Sequence, residues 1–210
     1  QPQTIPLQHH GQSAGMMDLN AVEGAIKPDD VHYARTKLIC LENTSSGYYL
    51  PQAYEQEVRS ICDKHTLSLH LDGARLFNAC VAQDRSAADI AKAYDSVSIC
   101  LSKGLGAPIG ALLIGKADEI KEARRWRKML GGGMRQAGIV AAAGLYALKN
   151  NVSRLADDHR NANKLATGLM NINGANVVYT DRQTNMVHVW VDDGFRARLT
   201  SLSKEQGVLL

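Results

Sequence analysis

Between residues 37 and 114 short apolar runs of strand length alternate with helical segments, and this alternation narrows the possible folds more than any other feature of the chain. The runs at 37–41, 67–71, 97–101 and 109–114 are β-branched or leucine-rich and are bounded by Gly, Pro or polar residues, so they read as buried strands. Pro51 opens a helix reaching residue 65, with Tyr54, Val58 and Ile61 on one face, and a shorter helix covers 87–94. Strands joined through helices in one sheet run parallel. The expected class is therefore α/β, a mainly parallel sheet with helices on both faces. The turn at 104–110 is too short for a crossover, so 109–114 should lie antiparallel to its predecessor and make the sheet mixed.

Chemistry concentrates where these strands end. In SVSICLSKGLGAPIGALLIG, residues 96–115, Lys103 stands between two apolar runs beside a Gly-rich turn. A lysine there is either a solvated turn residue or an amine that loses hydration at a strand end, has its pKa lowered and attacks a carbonyl to form a Schiff base. Upstream, LSLHLDGAR places Asp72 and Arg75 at the carboxyl end of another strand. In open α/β sheets that edge forms the ligand crevice, so Asp72, Arg75 and Lys103 are expected to share a site. An aspartate for a pyridinium nitrogen and a lysine for an aldehyde are what pyridoxal 5'-phosphate requires.

Three segments, LHLDGARLFNA, ICLSKGLGAPIGALL and RWRKMLGGGMRQAG, resemble the threonine aldolases of the threonine aldolase and beta-eliminating lyase family, in order and spacing, within a similarity running from about residue 32 to 185. The resemblance implies the large domain of a fold-type I pyridoxal phosphate enzyme, followed by a small α+β domain. It also implies cleavage of threonine or allo-threonine to glycine and acetaldehyde in a homodimer or homotetramer. By the same resemblance Lys103 carries the cofactor, Asp72 meets the pyridine nitrogen, and Arg75 contacts the cofactor's phenolic oxygen or the substrate carboxylate. His32, in a DxHxARTKL context, faces the cofactor near the substrate hydroxyl, and Arg135 of GGGMRQ contacts the phosphate or active site. A related β-eliminating lyase would use the same aspartate, arginine and lysine, and a non-catalytic remnant would turn over nothing. The Glu42-Asn43-Thr44 triplet is family-like, but Ser45-Ser46 stands where similar sequences commonly have His-Asn.

The same reading divides the chain into an irregular lead-in at 1–15, part of a cofactor-binding domain at 16–150 and the start of a smaller domain at 151–210. Helices are expected at 18–26, 117–129, 135–149 and 153–172, with strands near 176–179 and 186–191 and a further strand beginning at 206–210. The absence of an initiator Met and the abrupt end suggest a fragment of the family's length. With 24 Lys and Arg against 21 Asp and Glu, the net charge of +3 is too balanced to suggest nucleic acid. The RRWRK run at 124–128 is the only basic cluster. No apolar run reaches the roughly 18 residues of a membrane helix, and His9, His10 and His188 have no companions at metal-ligand spacing. The four cysteines lack paired spacing; Cys40 and Cys100 are expected as small hydrophobes inside strands, and a reducing, cytoplasmic setting fits.

Overall fold

In the computed structural model, which describes residues 15–208, four strands form one mixed sheet: β1 (Leu38–Glu42), β2 (Ser68–Gly73), β3 (Ser96–Cys100) and β4 (Ala111–Ile114). β1, β2 and β3 are parallel neighbours, and β4 returns antiparallel to β3, as the short Gly-rich turn requires. The lead-in at 1–15 falls, apart from Gly15, outside the described residues. Helices α2 (Gln52–Lys64), α3 (Leu76–Gln83) and α4 (Ala87–Ala91) follow the strands they connect. An earlier helix, α1 (Leu19–Ala25), starts at Asp18, whose side chain accepts from the Ala21 amide.

Alternation along the strands gives the sheet two different faces. Ile39, Leu41, Leu69, Leu71, Val97 and Ile99 are buried and meet Leu50, Val58, Cys62, Leu76 and Ile90 in one core. The intervening residues, Cys40, Glu42, His70, Asp72, Ser98 and Cys100 among them, are half-buried or exposed. Cys40 and Cys100 therefore do not act as buried hydrophobes; a period of two turns both thiols to the open side, while Cys62 and Cys80 are the buried pair, and all four are free.

At the start of β3 one carboxylate ties three elements together. Asp95 Oδ2 accepts from the Leu69 amide at 2.8 Å and from Arg59 of α2 at 2.9 Å, while the Asp95 amide donates to the Leu69 carbonyl at 2.8 Å. The Leu69 amide, with the Arg59 guanidinium, holds the Asp95 carboxyl below its ordinary value of 3.8. Because the folded value lies below the unfolded one, this stabilisation is complete above the unfolded value and disappears as pH falls through the folded one. Asp95→Asn is accordingly expected to cost about 1.5–3 kcal/mol at neutral pH, as for hydrogen bonds to charged groups. Urea unfolding of the full-length protein should show that difference at pH 7 and little of it once both proteins are below the folded value.

Beyond β4 the chain continues as α5 (Ala117–Met129), α6 (Gly138–Asn150) and α7 (Leu155–Leu169), with Gly131, Gly132 and Gly133 in the break between the first two. Residues 176–190 form a separate antiparallel pair, β5 (Asn176–Val178) and β6 (His188–Trp190). The chain then turns into a helix, α8 (Asp193–Glu205), capped by the Asp192 side chain on the Phe195 amide. The strand expected to begin at 206 is not found: 206 and 207 close α8, and 209–210 lie outside the described residues.

Candidate active site

Register places the chemistry at one edge. Glu42, Asp72 and Ser98 lie side by side across β1, β2 and β3 at the carboxyl ends of the parallel strands. Asp72 points to the open side, and its Oδ1 accepts from the Ala74 amide at 3.0 Å. Gly73 follows because the next strand is very close: a Cβ there would stand 2.7 Å from the Ser98 carbonyl oxygen and 3.1 Å from the Leu76 Cβ. Gly73→Ala is expected to push β2 off β3 at a cost of about 1–3 kcal/mol, the usual range for overpacking. Thermal unfolding of the full-length protein, with wild type alongside, measures it.

Arg75 and Lys103 line one open pocket, together with Phe77, Asn78, Cys100 and Leu105. Arg75 is the residue that caps α3, and Lys103 sits in the turn that leaves β3. Lys103 is exposed, which matches the solvated-turn placement of the two readings: it follows the last strand residue by three positions and stands outside the core. Its turn is nevertheless firmly held. The Gly106 amide donates to the Lys103 carbonyl at 2.8 Å, Arg154 Nη2 to the Gly104 carbonyl at 2.9 Å, and Asn151 Nδ2 to the Leu105 carbonyl at 2.7 Å. Asn151, where the smaller domain is expected to begin, thus braces the lysine turn.

Charge at this edge is felt by its neighbours. Burial, with the Asp72 charge, raises the Cys40 thiol above its ordinary value. Burial acts in the same sense on Cys100, but hydrogen bonding with Ser102, 3.3 Å away, and the Lys103 charge carry that thiol below its ordinary value. Behind the pocket, buried Asn78 Nδ2 lies 3.1 Å from His159 Nε2, joining α3 to α7, and burial lowers the His159 pKa.

Two other expected site residues lie apart from the pocket lining. His32 occupies an exposed turn before β1, its Nδ1 2.7 Å from Asp30 Oδ1. Arg135 is exposed in the segment between the triple glycine and α6. Among the described residues no group of three or more His, Cys, Asp and Glu is placed to hold a metal ion.

The Ser45-Ser46 departure falls in a tight turn. Ser45 and Tyr48 exchange backbone hydrogen bonds of 2.9 and 2.8 Å, and Ser46 and Gly47 both have positive φ, 49° and 82°. This is a two-residue hairpin of the type Ser-Gly suits. The later strand pair seals it: Thr184 donates from N and Oγ1 to the Gly47 carbonyl at 2.9 and 2.7 Å, and His188 Nε2 lies 2.8 Å from the Ser46 carbonyl. These partners of the turn lie 137 and 142 positions away in the chain.

An aspartate at the carboxyl end of β2 and a pocket lined by an arginine and a lysine furnish a carboxylate, a guanidinium and an amine. That donor set suits a cofactor with an aldehyde, a ring nitrogen and anionic oxygens. The family model described as beta-eliminating lyase matches residues 1–192, and the chain belongs to that family. Within it, the low specificity L-threonine aldolase of Escherichia coli K12 is 50% identical over 210 residues, all of this chain and 61% of that protein. Low-specificity L-threonine aldolase 1 of Arabidopsis thaliana is 45% identical over 204 residues, 93% of this chain and 57% of that protein. Among solved structures, a Listeria monocytogenes protein assigned as an L-allo-threonine aldolase superposes with a TM-score of 0.78 at 27% identity, over 94% of this chain and 55% of that one. The mixed sheet is thus that of fold-type I enzymes, and the chain spans about three fifths of the length of the curated relatives it matches.

Proposed function

We propose that the protein to which these residues belong is a pyridoxal phosphate-dependent carbon–carbon lyase that cleaves threonine or allo-threonine to glycine and acetaldehyde. What supports this reading is a pocket lined by Arg75 and Lys103, with Asp72 at the carboxyl end of the strand that leads into its lining at Ala74, in a family whose similar members are named threonine aldolases. Bound pyridoxal phosphate supplies an electron sink for the carbanion left when the Cα–Cβ bond breaks.

The side chains divide the remaining work. Lys103 offers the amine that anchors the cofactor aldehyde. Asp72, acceptor-only when ionised, keeps the pyridine nitrogen protonated. Arg75 presents a planar pair of N–H donors to the phenolic oxygen or to the substrate carboxylate. His32 holds its Nδ1 toward Asp30, which leaves Nε2 as the atom to take the hydroxyl proton. Arg135 is the proposed phosphate or active-site contact, and the exposed apolar residues around it, Leu130, Met134 and Ile139, support a homodimer or homotetramer. No described helix is long and apolar enough to cross a membrane; a cytoplasmic location is part of the same proposal.

The test is product analysis. Full-length protein loaded with pyridoxal phosphate and given L-threonine or L-allo-threonine is expected to release acetaldehyde and glycine in equal amounts. Release of ammonia and a 2-keto acid instead would make it a β-eliminating lyase and overturn the assignment.

A further inference from the structure

One buried charge takes no part in the chemistry above. Glu55, on the inner face of α2, is 1% exposed, and its carboxylate gathers donors from three other parts of the chain. Its Oε1 accepts from Asn43 Nδ2 at 3.3 Å and from the Tyr94 hydroxyl at 3.1 Å, and its Oε2 accepts from Arg85 Nη1 at 3.0 Å. Asn43 is itself fully buried. Its Oδ1 accepts from the Leu50 amide at 3.3 Å, and its backbone amide donates to the carbonyl of Asp72 at 2.9 Å. An unbroken chain of hydrogen bonds therefore runs from Glu55 through Asn43 to the residue at the open end of β2.

We propose that Glu55 is a positioning residue of the site: by fixing the Asn43 carboxamide it sets the Asn43 amide on the Asp72 carbonyl, and so the place of the Asp72 carboxylate. The inference rests on the proposed role of Asp72. A buried carboxylate is costly unless its lone pairs are used, and a leucine would fill this position on α2 without that cost. What a carboxylate alone provides is acceptance of three converging donors, one of them a guanidinium that neutralises it. Burial pushes the Glu55 carboxyl upward against the pull of Arg85, and burial and the Glu55 charge raise the Tyr94 hydroxyl, which stays a donor. The arrangement joins α2, the loop after α3 and the segment before β3 to one rim of the site.

Glu55→Gln tests this in the full-length enzyme. A carboxamide has one accepting oxygen and sets two N–H donors against Arg85, Tyr94 and Asn43, so at least one of them loses its partner. Two readouts are combined. Hydrogen exchange of the cofactor-free protein, followed by mass spectrometry, is expected to show faster exchange in the peptide spanning 42–50, where the Asn43 and Leu50 amides lie. Steady-state kinetics of the loaded enzyme should show kcat for threonine lowered about tenfold or more with KM changed far less, because a displaced group beside the reacting centre misplaces the transition state rather than the ground state. Tyr94→Phe, which removes one donor and keeps the packing, should do the same to a smaller extent and serves if Glu55→Gln does not fold. A folded variant with native exchange at 42–50 and native kcat overturns the proposal, as does a loss confined to melting temperature. A wild-type enzyme that binds pyridoxal phosphate without cleaving threonine overturns the proposed reaction alone, since the exchange readout at the rim needs no substrate.

Discussion

Replacing Lys103 with alanine in the full-length protein is expected to lower threonine cleavage by at least about a thousandfold, equivalent to about 4 kcal/mol of transition-state stabilisation. The residue lines a pocket with Arg75, and its turn is held through backbone carbonyls by Gly106, Arg154 and Asn151. None of those contacts involves the Lys103 side chain, so truncation should leave the turn intact and remove only the amine. The check is kinetic and structural together: acetaldehyde release collapses, while circular dichroism and melting temperature stay near wild type. A variant retaining a tenth of wild-type turnover would place the essential amine elsewhere.

Asp72→Asn is the second large effect. Its Oδ1 accepts from the Ala74 amide, and asparagine keeps an oxygen for that bond, so the turn into α3 survives. The negative charge does not. Removing one preorganised electrostatic partner from a developing charge commonly costs about a hundred- to a thousandfold in kcat, and that is the expected loss. Cofactor affinity, resting on several other groups, should fall far less. Equilibrium titration with pyridoxal phosphate beside steady-state kinetics separates the two; equal losses in both would make Asp72 a binding group rather than an electronic one.

How much of this was legible differs from residue to residue. The parallel run of β1, β2 and β3 and the antiparallel return of β4 followed from the spacing of apolar runs and the length of one Gly-rich turn, both local properties. That Arg75 and Lys103 line one pocket, with Asp72 at the carboxyl end of β2 just before it, accords with a general rule about parallel sheets that needs no contact to be known. Cys40 and Cys100 were misjudged because an apolar run shows no alternation by which to tell its two faces apart. Lys103 was placed at a strand end, but the chain runs clear of the core before reaching it. Glu55 left a trace: it lies three positions before Val58 and seven before Cys62, on the buried stripe of α2. Nothing local identifies Arg85, Tyr94 and Asn43 as its partners, because those contacts join separate elements across 12 to 39 positions.

The central claim is that Lys103 is the residue to which the cofactor is bound. Reducing the loaded full-length protein with sodium borohydride, digesting it and locating the pyridoxyl mass by mass spectrometry tests that claim most directly. The pyridoxyl group is predicted on the peptide carrying Lys103, in SKGLG; its recovery on any other lysine, or on none, would contradict the assignment.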